Sequence, residues 1–388
     1  MSNVVDVSIV MPCLNEAETL AACIAQARLG LEKIGRTGEI IVADNGSSDG
    51  SQALAQSLGT RVIEVPRRGY GSALRAGTLA AQGRWIIMGD SDLSYDFADI
   101  APFVDKLAAG CDLVMGCRLP SGGGRIEPGA MPWLNRWIGN PVLSFIGRTL
   151  FGARITDFHC GLRGFSKEAF TRMELTTRGM EFATEMVVKA ALKKMTIAEV
   201  SITLRKDGRS RPPHLRRWRD GWRHLRFMLL FSPHWLFLYP GLLLTAFGLA
   251  LAVPLSFGDV QLGHIHLESG ALTVAGMSMI VGFQVLGFAL WAGSHPVVRG
   301  ILPTSAFLSR CLKVFSLERG ILLGGLISVF GVALLLHAVL IWRAAGFGNL
   351  NAPEILRVII PAATAISIGI QMIFTSFFLS LLDLNTES

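Results

Sequence analysis

The ten residues Trp85-Ile86-Ile87-Met88-Gly89-Asp90-Ser91-Asp92-Leu93-Ser94 decide how this chain reads. Four apolar residues are too few for a buried helix and suit a strand covered on both faces, and the run stops at a glycine and two acids. Carboxylates one residue apart at a strand end can both reach a hard cation. Mg²⁺ or Mn²⁺ takes few protein ligands and completes its shell with substrate phosphates. A D-x-D in an isolated turn is ordinarily just solvated, so its meaning depends on the neighbouring strand ends.

Those ends are equally polar. Apolar runs at 7–11, 40–43, 61–65 and 113–115 alternate with helix-like segments at 17–33 and 73–81, which predicts a parallel sheet with crossover helices. In such sheets the ligand sits beyond the carboxyl ends of the strands. The first run leads into Pro12-Cys13-Leu14-Asn15-Glu16 and the second into Asp44-Asn45-Gly46-Ser47-Ser48-Asp49-Gly50. No G-x-G-x-x-G follows the first strand and no G-x-x-x-x-G-K-[ST] occurs, which disfavours dinucleotide and Walker-type binding.

The carboxyl half is of another kind. The 388 residues are 51% apolar and 17% charged, against about 25% charged in a soluble domain. The excess sits in four stretches without Asp, Glu, Lys or Arg, at 235–258, 269–298, 320–342 and 358–382. Each reaches the ~20 apolar residues that cross a bilayer, and none shows the polar face of a soluble bundle helix. Arg216, Arg217, Arg219, Arg223 and Arg226 precede the first span, and Arg299, Arg310, Lys313 and Arg319 lie between the second and third. Retention of Lys and Arg inside gives an in-out-in-out-in path, with both termini and the amino half cytosolic. Asp6 interrupts any signal peptide. The domain boundaries expected are 1–212 for the α/β domain, 213–233 for an amphipathic juxtamembrane segment and 234–388 for the membrane helices.

Together these motifs resemble the family 2 glycosyltransferases of GT-A (Rossmann-like) fold, and within them the dolichyl-phosphate mannosyltransferase-like enzymes that glycosylate a polyprenyl phosphate. The resemblance covers residues 5 to 230. Asp90-Ser91-Asp92-Leu93-Ser94 stands for the family's Asp-Ala-Asp-Leu-Ser and Gly116-Cys117-Arg118 for its Gly-x-Arg. Asp157 through Gly161 with Arg163 stands for Asp-x-x-x-Gly-x-Arg, and Gly208-Arg209-Ser210-Arg211 for Gly-x-Ser-Lys. The resemblance implies that Pro12, Leu14, Glu16, Ala43 and Asn45 line the nucleoside pocket. It further implies that Asp90, Ser91 and Asp92 hold metal and diphosphate, and that Arg118, Arg205 and Arg211 touch donor or acceptor phosphates. Leu14 replaces an aromatic residue of the family and Asn45 its second acid, which leaves the donor base open between uridine and guanosine.

The chemistry expected is metal-dependent, inverting transfer of one sugar from a nucleotide-sugar to a polyprenyl phosphate, with Asp92 and Arg118 central. A phosphate monoester, with its second pKa near ~6, is already nucleophilic at neutral pH, so no strong general base is required. Asp157, Glu181 and Glu185 are candidates for orienting substrate or arginine, while His159 and Cys160 lack further ligands at metal spacing and read as structural. Residues 131–153 have the composition of an interfacial helix, where Arg136 could meet the acceptor phosphate. Residues 215–231 interleave five arginines with Trp218 and Trp222 and lead into the first span, which ties the net charge of +7 to a membrane surface rather than to nucleic acid. The six cysteines show no zinc spacing and read as reduced thiols. Gly324, Gly325 and Gly331 would permit close helix packing, within one chain or in a homo-oligomer. Rival readings are a processive polysaccharide synthase, and a non-enzymatic lipid-translocating or docking protein.

Overall fold

The computed structural model describes residues 5–211, 217–294 and 316–384. Arg216, Arg299, Arg310, Lys313 and the end of the second expected span, 295–298, lie outside the described residues. The chain divides into two compact units, Met1–Met228 and Leu229–Ser388.

The first unit is built on strands β1 (Val7–Cys13), β2 (Gly38–Asp44), β3 (Arg61–Glu64), β4 (Trp85–Met88), β5 (Leu113–Cys117), β7 (Arg163–Ser166) and β8 (Ile197–Ser201), in the order β3-β2-β1-β4-β7-β5-β8. A small parallel pair, β6 (Arg125–Ile126) with β9 (Thr203–Leu204), stands beside it. β1 runs parallel to β2 and β4, β2 to β3, and β5 to β8. The mixed α/β fold is therefore as expected, but the sheet is not wholly parallel. β7 enters antiparallel between β4 and β5, with Arg163 opposite Met88 and Met115. Because of that reversal, the residues leading into β7 arrive beside the carboxyl ends of β4 and β5. Loop 157–162 thereby joins the edge formed by the carboxyl ends of the parallel strands.

Helices α1 (Ala17–Ile34), α2 (Ser51–Ser57), α3 (Tyr70–Ala80) and α4 (Ala101–Ala108) are the crossovers of the amino-terminal strands. In α1, Leu20, Cys23, Ile24 and Ala27 recur at helical spacing and are buried. Burial of a side chain such as Leu20 or Ile24 is worth about 1.5–3 kcal/mol. Gly35, left-handed at φ 60°, closes the helix by donating its N–H to Glu32 O. α5 (Asn140–Phe151) follows a π-turn at Asn135–Gly139, and α6 (Lys167–Met173), α7 (Phe182–Leu192) and α8 (Arg217–Leu230) complete the unit. Trp133, Trp137, Ile138, Val142 and Phe145 are exposed along the π-turn and α5, as are Trp218 and Trp222 on α8.

The second unit contains α9 (Tyr239–Phe257), a hairpin of β10 (Val260–Leu262) and β11 (Ile265–Leu267), then α10 (Ser269–Ser294), α11 (Leu317–Ala344) and α12 (Ala352–Leu384). Among the described residues, four of its helical segments are long and apolar enough to cross a membrane: His234–Phe257, Ser269–Gly293, Leu317–Ala344 and Ala352–Leu382. α11 and α12 pack closely within the chain. A Cβ at Gly324 would lie 2.6 Å from Gly369 O and one at Gly331 2.7 Å from Ala362 O, whereas Gly325 faces open space. Arg357 of α12 pairs with Asp259 at 2.7 Å, tying that helix to the turn before the hairpin.

Candidate active site

The carboxyl ends of β1, β2 and β4 meet at one edge of the sheet. Ser91 Oγ donates to Pro12 O at 2.8 Å, and Thr19 Oγ1 donates to Ser91 O at 2.6 Å, so the D-x-D turn is fastened to the end of β1 and the start of α1. Two side-chain-bearing residues flank the acids in left-handed backbone, Asn15 at φ 58° and Leu93 at φ 67°. That conformation is costly for leucine and survives where surrounding contacts impose it. Here Asp92 Oδ1 accepts from Ser94 N at 3.0 Å and Ser94 Oγ at 2.5 Å, and Ser94 O accepts from Arg205 N at 3.0 Å.

The acids are crowded. Burial, then the neighbouring Asp92 carboxylate, pushes Asp90 up to about 6, while a hydrogen bond from Tyr70 pulls the other way. Glu16 is also raised by burial, against the opposing pull of Arg209 and Arg211. Both arginines come from the segment after β9. Arg209 donates from Nη2 to Asp92 Oδ2 at 2.5 Å and from Nε to Glu16 Oε2 at 3.0 Å. Arg211 donates from Nη2 to Glu16 Oε1 at 2.8 Å and to Leu14 O at 3.0 Å. A cavity of about 260 Å³ opens beside them, lined by Asn15, Glu16, Glu18, Ser48, Asp49 and the two arginines.

Loop 157–162 closes the other side. Gly161 N donates to Tyr95 Oη at 2.9 Å, and a Cβ on Gly161 would lie 2.9 Å from Asp90 Oδ2 and 3.0 Å from Tyr95 Oη. Gly161→Ala is therefore expected to cost about 1–3 kcal/mol in denaturant unfolding and to displace Asp90. An unchanged midpoint would show that the loop yields instead. Arg163, fully buried, locks this loop by donating to Cys160 O at 2.7 Å, to Phe158 O and to Ala183 O.

Arg118 has a protein anion for a partner. It grips Asp157 in a bidentate pair, Nε to Oδ2 at 2.7 Å and Nη2 to Oδ1 at 2.9 Å, and its backbone N adds a third bond to Oδ2 at 3.1 Å. A buried guanidinium demands an anion, and Asp157, 39 residues away, meets that demand before any ligand arrives. Of the other acids considered from sequence, Glu185 is fully buried, pairs with Lys189 at 2.8 Å and accepts from Thr176 and Thr177, a structural knot. Glu181 Oε2 is shielded and without a hydrogen-bond partner.

Other expected site residues stand apart from the acids. Ala43 is fully buried and packs with Val65 and Ala73. Asn45 holds the β3–α3 connection, donating from Nδ2 to Val65 O at 3.0 Å and Arg67 O at 2.9 Å, and accepting from Gly69 N at 2.6 Å. Gly69, at φ 138°, makes the turn that no side chain would tolerate there, since a Cβ would collide with Arg178 O. Arg205 pairs with Asp96 at 2.6 Å. Arg136 lies against Trp137 with its Nε shielded and unpartnered. His159 packs 5.0 Å from His224, both ring nitrogens are shielded without a partner, and burial lowers its pKa. Burial raises Cys13 to about 11 and Cys160 to about 12, so neither is a thiolate at neutral pH.

Two residues escaped the sequence reading. Asp44 is buried, accepts from Gly46 N, Ser47 N and Gln52 Nε2 through Oδ2, and keeps Oδ1 shielded without a partner. Its signal in the sequence is an acid that closes the second apolar run, directly before Asn45. Tyr70 had only its glycine flanks as a signal, which read equally as a plain turn.

Comparison with known proteins agrees with this architecture. Residues 8–173 match the model of glycosyl transferase family 2, and residues 290–383 match that of the glycosyltransferase family 2 C-terminal transmembrane region. The low-salt glycan biosynthesis hexosyltransferase Agl6 of Haloferax volcanii is 36% identical over 380 residues, covering 96% of this chain and 88% of that protein. A dolichyl-phosphate hexose transferase of the same organism is 30% identical over 200 residues, covering 52% of this chain and 83% of its own length. Among solved structures, glucosyl-3-phosphoglycerate synthase from Mycobacterium tuberculosis, in complex with Mn²⁺, UDP and phosphoglyceric acid, aligns with a TM-score of 0.44 at 23% identity, over 58% of this chain and 76% of that one. With its α/β domain, its acid pair at the strand ends and its apolar carboxyl-terminal helices, the chain is a membrane protein that belongs to glycosyltransferase family 2.

Proposed function

We propose that this glycosyltransferase moves a single hexose from a UDP- or GDP-hexose to a polyprenyl phosphate, with inversion and with a divalent cation. The observation that carries the reading is the acid pair Asp90 and Asp92 at the end of β4, set against Glu16 and two arginines at a cavity edge. The naming of one relative as a dolichyl-phosphate hexose transferase supports the choice of acceptor.

The donor set fits Mg²⁺ or Mn²⁺. The two carboxylates stand one residue apart, and burial and the Asp92 charge hold Asp90 up at about 6 against the pull of Tyr70 and Arg209, a crowding that a cation would relieve. Among the described residues no three His, Cys, Asp or Glu side chains gather as a metal cage. Hard cations bound beside phosphates commonly have one or two carboxylates and take the rest of their shell from substrate and water. When bound, the cation would neutralise the departing nucleoside diphosphate.

The chain's own groups do the rest. Asp44 Oδ1 offers an acceptor to an N–H of the base, and Arg211 a guanidinium to the diphosphate. Arg118, steadied by Asp157, offers Nη1 to the acceptor phosphate, and Arg136 is a second candidate there. An oxygen of the phosphate monoester forms a bond to the anomeric carbon as the carbon–oxygen bond to the diphosphate breaks. The nucleoside diphosphate leaves with that electron pair. A phosphate largely ionised at neutral pH needs no base to take a proton. The basic residues before the first span favour the cytosolic side for this chemistry, and the exposed Trp133, Trp137, Trp218 and Trp222 suit a lipid surface.

The test is incubation of the purified full chain with UDP- and GDP-hexoses, Mg²⁺ or Mn²⁺ and farnesyl phosphate, with mass analysis of the lipid. One added hexose supports the reading. Hexose released to water with the lipid untouched, or a polymer, overturns the acceptor assignment. With the preferred donor found, Asp44→Asn is expected to weaken binding of its nucleoside diphosphate about tenfold, the loss of one hydrogen bond to a charged group. Unchanged affinity in a calorimetric titration would remove Asp44 from base recognition.

A further inference from the structure

A guanidinium already sits on the oxygens that a cation would contest. Arg209 bridges Asp92 Oδ2 and Glu16 Oε2, and all three side chains are nearly enclosed, at 10%, 11% and 6% exposure. The segment that delivers it is strapped down along its length. Arg205 holds Asp96, Gly208 N donates to Asp92 O at 2.9 Å, and Ser210 donates to Glu18 through N at 2.8 Å and Oγ at 2.6 Å. The strap also forms one wall of the 260 Å³ cavity, through Arg209 and Arg211, so a shift of the strap changes the space beside the acids.

We infer that Arg209 is a positioning residue that holds Asp92 and Glu16 as a stand-in cation, so that the metal binds tightly only together with the nucleoside diphosphate. Pulling Arg209 off two shielded carboxylates with nothing to receive it strands a charge, which opposes binding of the metal alone. A nucleoside diphosphate supplies the anion to which Arg209 can turn, and the same movement clears Asp92 and enlarges the cavity. Metal and donor then enter as one thermodynamic unit. The inference rests on the divalent-cation reading above.

The test measures Mn²⁺ affinity of the purified full chain by electron paramagnetic resonance of free Mn²⁺, with and without UDP or GDP, the Mn²⁺ held by nucleotide alone being subtracted from a protein-free titration. Wild type is expected to bind Mn²⁺ at least tenfold tighter with the fitting nucleotide than without. Arg209→Gln is expected to bind it at least tenfold tighter than wild type in the absence of nucleotide. Removal of a nearby positive charge would also favour the metal through the field alone, and Glu18→Ala separates the two causes. Loss of that exposed acid weakens cation binding through the field but tightens it if it frees the strap. Ser210→Ala, uncharged, is expected to move in the same direction as Glu18→Ala. Should Arg209→Gln fail to fold, Glu18→Ala and Ser210→Ala decide. Weaker or unchanged nucleotide-free binding in Glu18→Ala overturns the inference, as does wild type binding Mn²⁺ equally with and without nucleotide. If no form binds Mn²⁺ even with nucleotide, the cation reading falls and the inference with it.

Discussion

Asp92→Asn is expected to lower hexose transfer by about two to three orders of magnitude, the range seen when one preorganised charge-stabilising group is removed from an active site. The substitution is isosteric, and the amide oxygen can still accept from Ser94 N and Oγ, so the left-handed turn at Leu93 keeps its support. What changes is the outer oxygen. At Oδ2 an amide NH₂ would face the Arg209 Nη2 that now donates there, donor against donor, and the charge that makes the pair a cation site is halved. Single-turnover rates with whichever hexose donor the panel of UDP- and GDP-hexoses identifies measure the effect, with circular dichroism as the check on folding. Chelation of divalent metal in wild type should reproduce the loss. Transfer within threefold of wild type would show that this pair is not where charge is neutralised.

The second large effect is on stability. Asp157→Ala is expected to destabilise the amino-terminal unit by about 3–5 kcal/mol, because it strands the Arg118 guanidinium in a site with 8% of the residue exposed. Three bonds from Arg118 end on that one carboxylate, and a fourth from His159 N holds it in the loop. For a unit of this size the loss amounts to a fall in melting temperature on the order of 10 °C. Arg118→Met in the Asp157→Ala background should recover part of it, since removing both charges costs less than stranding one. The acid dependence follows. Burial alone would raise Asp157, but Arg118 outweighs it and holds the carboxyl below the usual range. An acid depressed in the folded state contributes stability above its unfolded pKa of about 3.9, and that contribution is lost as pH falls through the folded value. Wild type and Asp157→Ala should therefore converge in stability below about pH 4, read by denaturant midpoints across pH. A gap that persists unchanged would assign the effect to packing.

Much of the sheet was readable because a strand buried on both faces announces itself locally, as 85–88 does, and because the polar residues that follow mark the ligand edge. β7 was not readable in this way. Arg163-Gly164-Phe165-Ser166 has neither alternation nor an apolar run, and its place between β4 and β5 comes from pairing across the chain rather than from its own pattern. Asn45 shows the same limit at a single residue. An amide at a strand end can read a base or hold a loop, and here Val65, Arg67 and Gly69 claim it.

By itself the sequence determined the α/β class of the amino half, the four apolar segments and the pair of acids at the end of an apolar strand, since hydrophobic periodicity and segment length are properties of neighbours in the chain. The tertiary structure alone decided the charge partners: Asp157 for Arg118 and, 193 and 117 residues away, Glu16 and Asp92 for Arg209. A buried charge must be met by whatever the fold brings within a few ångströms, and that distance is not written in the order of the residues.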